Sequence, residues 1–155
     1  MRSQDINPFI EATIETFETM CAVKPYRCGK LEVRANIMYV YDLVGILGLS
    51  GSLRGAVLMS MPIPTGVKIT SKFLGEEITD VKEDLMDSFG EILNIIAGAA
   101  TAKMEGQIIK LALPTVIVGR DQQLLPIKER PWIVIPMFFH EYGKFNIEVA
   151  MQDGN

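Results

Sequence analysis

The chain is poor in the residues that usually build metal and redox chemistry. It has one histidine, His140, and two cysteines, Cys21 and Cys28, among 155 residues. That is too few for a Cys/His zinc set, so no metal site is expected on this chain. Two thiols flanking a loop make no disulfide framework either, and both read as reduced and unreactive. No G-x-S-x-G elbow is present for a Ser/His/Asp hydrolase. Gly45, Gly48 and Gly51 do not open a helix as a dinucleotide loop must, so they read as strand or turn glycines. There is no basic excess: 15 Lys and Arg stand against 19 Asp and Glu, a net charge of −4. Without surplus cations to displace counterions, nucleic acid is not an expected partner. Long apolar runs are missing too. The stretch from Ile37 to Leu49 is interrupted by Asp42 and is too short to span a bilayer, and the first eight residues hold no apolar signal core. A cytoplasmic protein without a membrane partner, one domain over residues 1–155, is the expectation.

What is there reads as a regular alternation of elements. Asn7-Pro8 predicts a helix start, followed by Ile10, Ile14, Phe17 and Met20 at helical spacing and closed by Pro25 and Gly29. Alternating residues from Lys30 to Val33 and a β-rich run through Tyr39–Tyr41 predict strands. Ser50-Gly51 then divides Val44–Leu49 from Leu53–Met61 as a hairpin. Pro62 and Pro64 end that strand, and Thr65 is positioned to cap a short helix carrying Val67, Thr70, Phe73 and Leu74, stopped by Gly75. A long helix follows from about Val81 to Met104. Strands are expected at Ile108–Leu113, Thr115–Val118, Trp132–His140 and Phe145–Met151, the last two joined through Tyr142-Gly143-Lys144. This order predicts an α+β fold, helices packed on one face of a mainly antiparallel sheet. Trp132 reads as core or interface, and His140 as a surface residue at a strand end.

The long helix is the most informative segment. At about 100° per residue, Leu85, Phe89, Ile92, Leu93, Ile96, Ala100 and Met104 fall on one side, the core face. Asp84, Asp87, Glu91, Asn94, Gly98, Thr101 and Glu105 fall on the other. Glu91 and Asn94, three apart, emerge side by side. Gly98 is costly in an exposed helix, by about 1 kcal/mol relative to alanine, so something else should favour it; close approach of another backbone is one candidate. Ile95 projects from the polar side, about 40° from Glu91, an apolar residue beside a carboxylate and an amide. On spacing alone, a Glu/Asn pair of this kind is an ordinary solvated stripe.

Its context is more specific. The stretch Asp87-Ser88-Phe89-Gly90-Glu91-Ile92-Leu93-Asn94-Ile95-Ile96-Ala97-Gly98 resembles the signature of the CheC/CheX chemotaxis phosphatases: an acidic residue or Ser, then E-x-x-N, then a small residue. Ile6-Asn7-Pro8-Phe9, Ser71–Glu77 and Leu113–Gly119 are similar to further segments of the CheX branch, in the expected order. The resemblance implies a CheC/CheX-like α+β fold, a single active pair, a homodimer joined through the sheets, and hydrolysis of the phospho-aspartate of a CheY-type receiver protein. It implies no cofactor on this chain, the Mg²⁺ being held by the receiver.

It also implies the roles of the pair. An acyl phosphate is labile, and its hydrolysis needs mainly a water held in line. An amide can accept from and donate to that water without adding charge, which suits Asn94. Glu91 would reach the receiver's active-site lysine, since a carboxylate beside a phosphate dianion is unfavourable unless it meets a cation. Asp87, Ile95 and Gly98 would meet the partner's surface. The competing expectation is a non-catalytic adaptor that binds a receiver domain or an assembly partner through the same helix.

Overall fold

The computed structural model describes residues 3–35, 41–78, 82–119 and 131–154. Its sheet contains a long β-hairpin next to one edge. Strand β3 (Leu43–Gly51) turns through Ser52 into β4 (Leu53–Met61), the chain passing Gly51 at φ 105°, a conformation that L side chains rarely adopt. On the far side of β4 lies β8 (Gly143–Asp153), and on β8 lies β7 (Trp132–Phe139), these two joined at Gly143. Two short strands, β1 (Tyr26–Arg27) and β2 (Glu32–Arg34), pair with β7 at one edge. At the other edge, β5 (Ile109–Leu111) and β6 (Thr115–Val118) both pair with β3. Every described pairing is antiparallel.

Three helices cover one face of this sheet: α1 (Ser3–Cys21), α2 (Ile63–Leu74) and α3 (Glu83–Ala102). Alternation along the strands decides which residues meet them. Leu43, Leu47, Val57, Met59, Ile135, Met137, Ile147 and Val149 join Phe9, Phe17, Phe89, Leu93 and Ile96 in the main core. Val44, Ala56, Leu58, Trp132 and Ala150, the intervening strand residues, form a second buried cluster on the opposite face. The α+β expectation holds, and Trp132 is a core residue. His140 follows β7 as an exposed turn residue, its ring against Tyr26 and Phe138.

Local details differ from the sequence reading. Helix α1 begins at Ser3, four residues before Asn7, and carries Pro8 inside it, at the cost of one backbone bond. Its buried face runs through Ile6, Phe9, Thr13 and Phe17, while Met20 is 42% exposed. Thr13 can share that face because its hydroxyl donates to the Phe9 carbonyl at 2.7 Å. Thr65 does not cap α2. The first amide, Ile63 N, donates instead to the Asp42 carboxylate at 3.1 Å, and the Thr65 hydroxyl donates to the Tyr142 carbonyl at 2.7 Å. The C-terminus of α2 is as expected, with Gly75 left-handed at φ 74°. The strand expected through Tyr39 and Val40, and the helix start at Val81, lie outside the described residues. Among the described residues, no helix is long and apolar enough to cross a membrane.

Candidate functional site

Small residues set how closely α3 lies on the sheet. A Cβ at Gly45 of β3 would stand 3.0 Å from Leu93 and 3.1 Å from Phe89, so the missing side chain lets these two helix residues seat against the strand. Farther out, a Cβ at Gly90 of α3 would lie 3.3 Å from Val116 and 3.4 Å from Pro114. The edge strand therefore runs close beside the helix. The other end of α3 is tied to α1 by Lys103, whose ammonium lies 3.1 Å from Glu15 and 3.9 Å from Glu11.

With Leu85, Phe89, Ile92, Leu93, Ile96 and Ala100 buried, the opposite stripe faces outward as the periodicity predicts. Asp84, Asp87 and Glu91 are exposed, and Asn94, Ile95, Gly98 and Thr101 half-buried. Neither the Glu91 carboxylate nor the Asn94 amide is engaged by a hydrogen bond or ion pair among the described residues. Both are available to an incoming molecule. Met86, Asp87, Gly90, Glu91, Pro114 and Val116 line an open cleft of about 260 Å³ against this stripe. It is shallow, and suits a protein surface better than an enclosed small molecule.

Gly98 is lightly packed. Among the described residues, a Cβ there would meet only Leu111, at an ordinary 3.8 Å. Of these two glycines of α3, Gly90 is the more closely approached, with Val116 at 3.3 Å from an ideal Cβ. Pro114, which lines the cleft, was legible only as part of a family-like segment. No periodic signal points to it, because it enters the site from another element.

The buried titratable groups among the described residues, Cys21 and Glu148, lie elsewhere. Cys21 is buried, its thiol pushed up to about 11 by desolvation and only partly offset by Lys72, so it is held as a neutral, unreactive thiol. Glu148 on β8, 1% exposed, is raised to about 7 by burial, opposed by Arg34 at 3.4 Å and reinforced by the negative charge of Glu32. It belongs to the sheet face away from α3. Among the described residues, no group of three or more His, Cys, Asp or Glu side chains could hold a metal ion.

Three helices laid over one face of an antiparallel sheet define an α+β class that comparison with known proteins identifies. A family model described as chemotaxis phosphatase CheX matches residues 43–138. The chain belongs to the CheX family. It is 27% identical over 158 residues to the CheY-P phosphatase CheX of Thermotoga maritima, covering 99% of both chains. The crystal structure of CheX from Desulfovibrio desulfuricans is similar at a TM-score of 0.87 and 27% identity, over 96% of this chain and 99% of that one. The CheX of a Borrelia burgdorferi complex with CheY, BeF₃ and Mg²⁺ shares the fold at a TM-score of 0.78 and 24% identity, over 96% of this chain and 97% of that one.

Proposed function

We propose that this protein hydrolyses the phospho-aspartate of a CheY-type receiver, with Glu91 and Asn94 of α3 inserted into the receiver's active site. The observation that carries the reading is the pair itself: adjacent, outward-facing and unengaged among the described residues, beside an open cleft. In the reaction, the bond between phosphorus and the aspartyl oxygen breaks as water adds to phosphorus. Inorganic phosphate and a free carboxylate result. The Asn94 amide accepts a hydrogen bond from that water and holds it in line. Glu91 pairs with the receiver's lysine and fixes the depth of insertion. Asp87, exposed one turn before Glu91, adds negative charge toward the same cation.

Mg²⁺ belongs to the receiver in this reading, and supplies charge neutralisation at the transferring phosphoryl group. A cytoplasmic location follows from the nature of that partner. A homodimer joined through sheet edges is part of the same proposal; Val33 on the short edge strand β2 is 70% exposed and offers apolar surface there.

The test is phosphate release from a phosphorylated, Mg²⁺-loaded receiver. Asn94→Ala should lower turnover by about 10² or more, the scale of losing a positioned reactant, with the melting temperature unchanged. Glu91→Ala should act mainly on receiver affinity. Equal turnover by wild type and the double alanine variant would refute the catalytic role and leave an adaptor.

A further inference from the structure

The sheet edge beside α3 contains one residue more than its partner strand needs. β5 pairs with β3 in the register Leu49↔Leu111, whereas β6 pairs in the register Ile46↔Thr115. Three steps along β3 therefore face four along the edge. The amide of Ala112 still donates to the Gly48 carbonyl at 2.9 Å. The irregularity is thereby confined to the Leu113-Pro114 dipeptide, where proline has no N–H to offer the ladder. Such a bulge turns a side chain out of the sheet's alternation. Here the side chain is Leu113, 91% exposed.

Its position relative to the pair follows from two glycine contacts. A Cβ at Gly98 would meet Leu111 at 3.8 Å, and one at Gly90 would meet Pro114 at 3.4 Å. Eight helical residues rise about 12 Å, and three extended residues reach about 10 Å, so the two segments run antiparallel in near register. Leu113 therefore stands level with the turn that holds Glu91 and Asn94. Ile95 is on the other flank of Glu91, half-buried.

A lone exposed leucine is unremarkable on a protein surface. This one directly precedes Pro114, which lines the cleft against the Glu91 stripe. We propose that Leu113, displayed by the edge-strand bulge, is an apolar docking residue for the receiver domain, flanking the polar pair opposite Ile95. The inference rests on the catalytic reading above for the identity of the partner. Continuity with the Glu91 cleft, which Pro114 itself lines, favours a receiver over a second copy of this chain.

The experiment titrates the protein against a fluorescently labelled CheY-type receiver loaded with BeF₃ and Mg²⁺, and measures phosphate release in parallel. Leu113→Ser should weaken binding by about tenfold, a typical loss for a truncated apolar anchor. Turnover at saturating receiver should stay within about twofold of wild type, as expected for a group that contributes uniform binding. Leu113→Met should restore affinity. Ile108→Ser, which alters a 75% exposed residue just before β5, should leave binding unchanged and serves as the control. Wild-type affinity in Leu113→Ser would overturn the inference, as would an altered oligomeric mass by light scattering, which would assign Leu113 to a contact between copies. Persistent turnover in Asn94→Ala would instead refute the catalytic reading, while the affinity comparison still decides the role of Leu113.

Discussion

Gly90 of α3 and Pro114 of the edge strand are separated by no more than the space of one missing methyl group, 3.4 Å from an ideal Cβ to the proline ring. This contact brings a second element to the side of the Glu91/Asn94 turn. It also gives a sharp expectation. Gly90→Leu must push the edge strand away from the helix, and overpacking of that kind costs about 1–3 kcal/mol. Thermal unfolding should show the loss, and receiver affinity should fall with it because the cleft is displaced.

Gly98 should behave differently. Its site has room for a Cβ, so Gly98→Ala should stabilise the helix by up to about 1 kcal/mol and leave turnover intact. Gly98→Leu should keep the stability and lose activity, since the longer side chain stands on the face presented to the partner. A fall in melting temperature for either variant would mean that the position is more crowded than the structure indicates.

Ile95→Glu places a second carboxylate next to Glu91 on the half-buried flank of the stripe. Weaker receiver binding without unfolding is expected, measurable by the same titration. Unchanged affinity would remove this flank from the docking surface.

Glu148 makes stability depend on pH. Its folded-state value is about 7 against an ordinary 4.5, so the unfolded chain releases this proton first. The stability associated with the protonated side chain is complete below about pH 4.5 and is lost as pH rises toward and through 7, by up to about 3 kcal/mol. Glu148→Gln should flatten the denaturant midpoint between pH 5 and 8 relative to wild type. Parallel profiles for the two proteins would show that another group sets the dependence.

Asp42 caps α2 from a distance in sequence. Asp42→Ala should cost about 1 kcal/mol through the unsatisfied Ile63 amide, lowering the melting temperature by about 2–4 °C. Asp42→Asn, which can still accept that hydrogen bond, should recover most of the loss.

Much of the fold follows from the chain's own periodicities. The hairpin about Gly51, the left-handed stop at Gly75 and the buried face of α3 are marked by residues close in sequence, through local sterics and hydrophobic spacing. The outward stripe with Glu91 and Asn94 was legible for the same reason, as the complement of that buried face. The cap of α2 was not, since Asp42 and Ile63 meet only after β3 and β4 have paired and returned the chain. Met20 looked like core because it fits a helical repeat, but the face of α1 that is buried depends on what packs against it. The bulge at Leu113 belongs wholly to the tertiary structure. No pattern in Leu111-Ala112-Leu113-Pro114 distinguishes a residue in the ladder from one outside it, because a bulge is a mismatch between two strands and exists only once both registers on β3 are set.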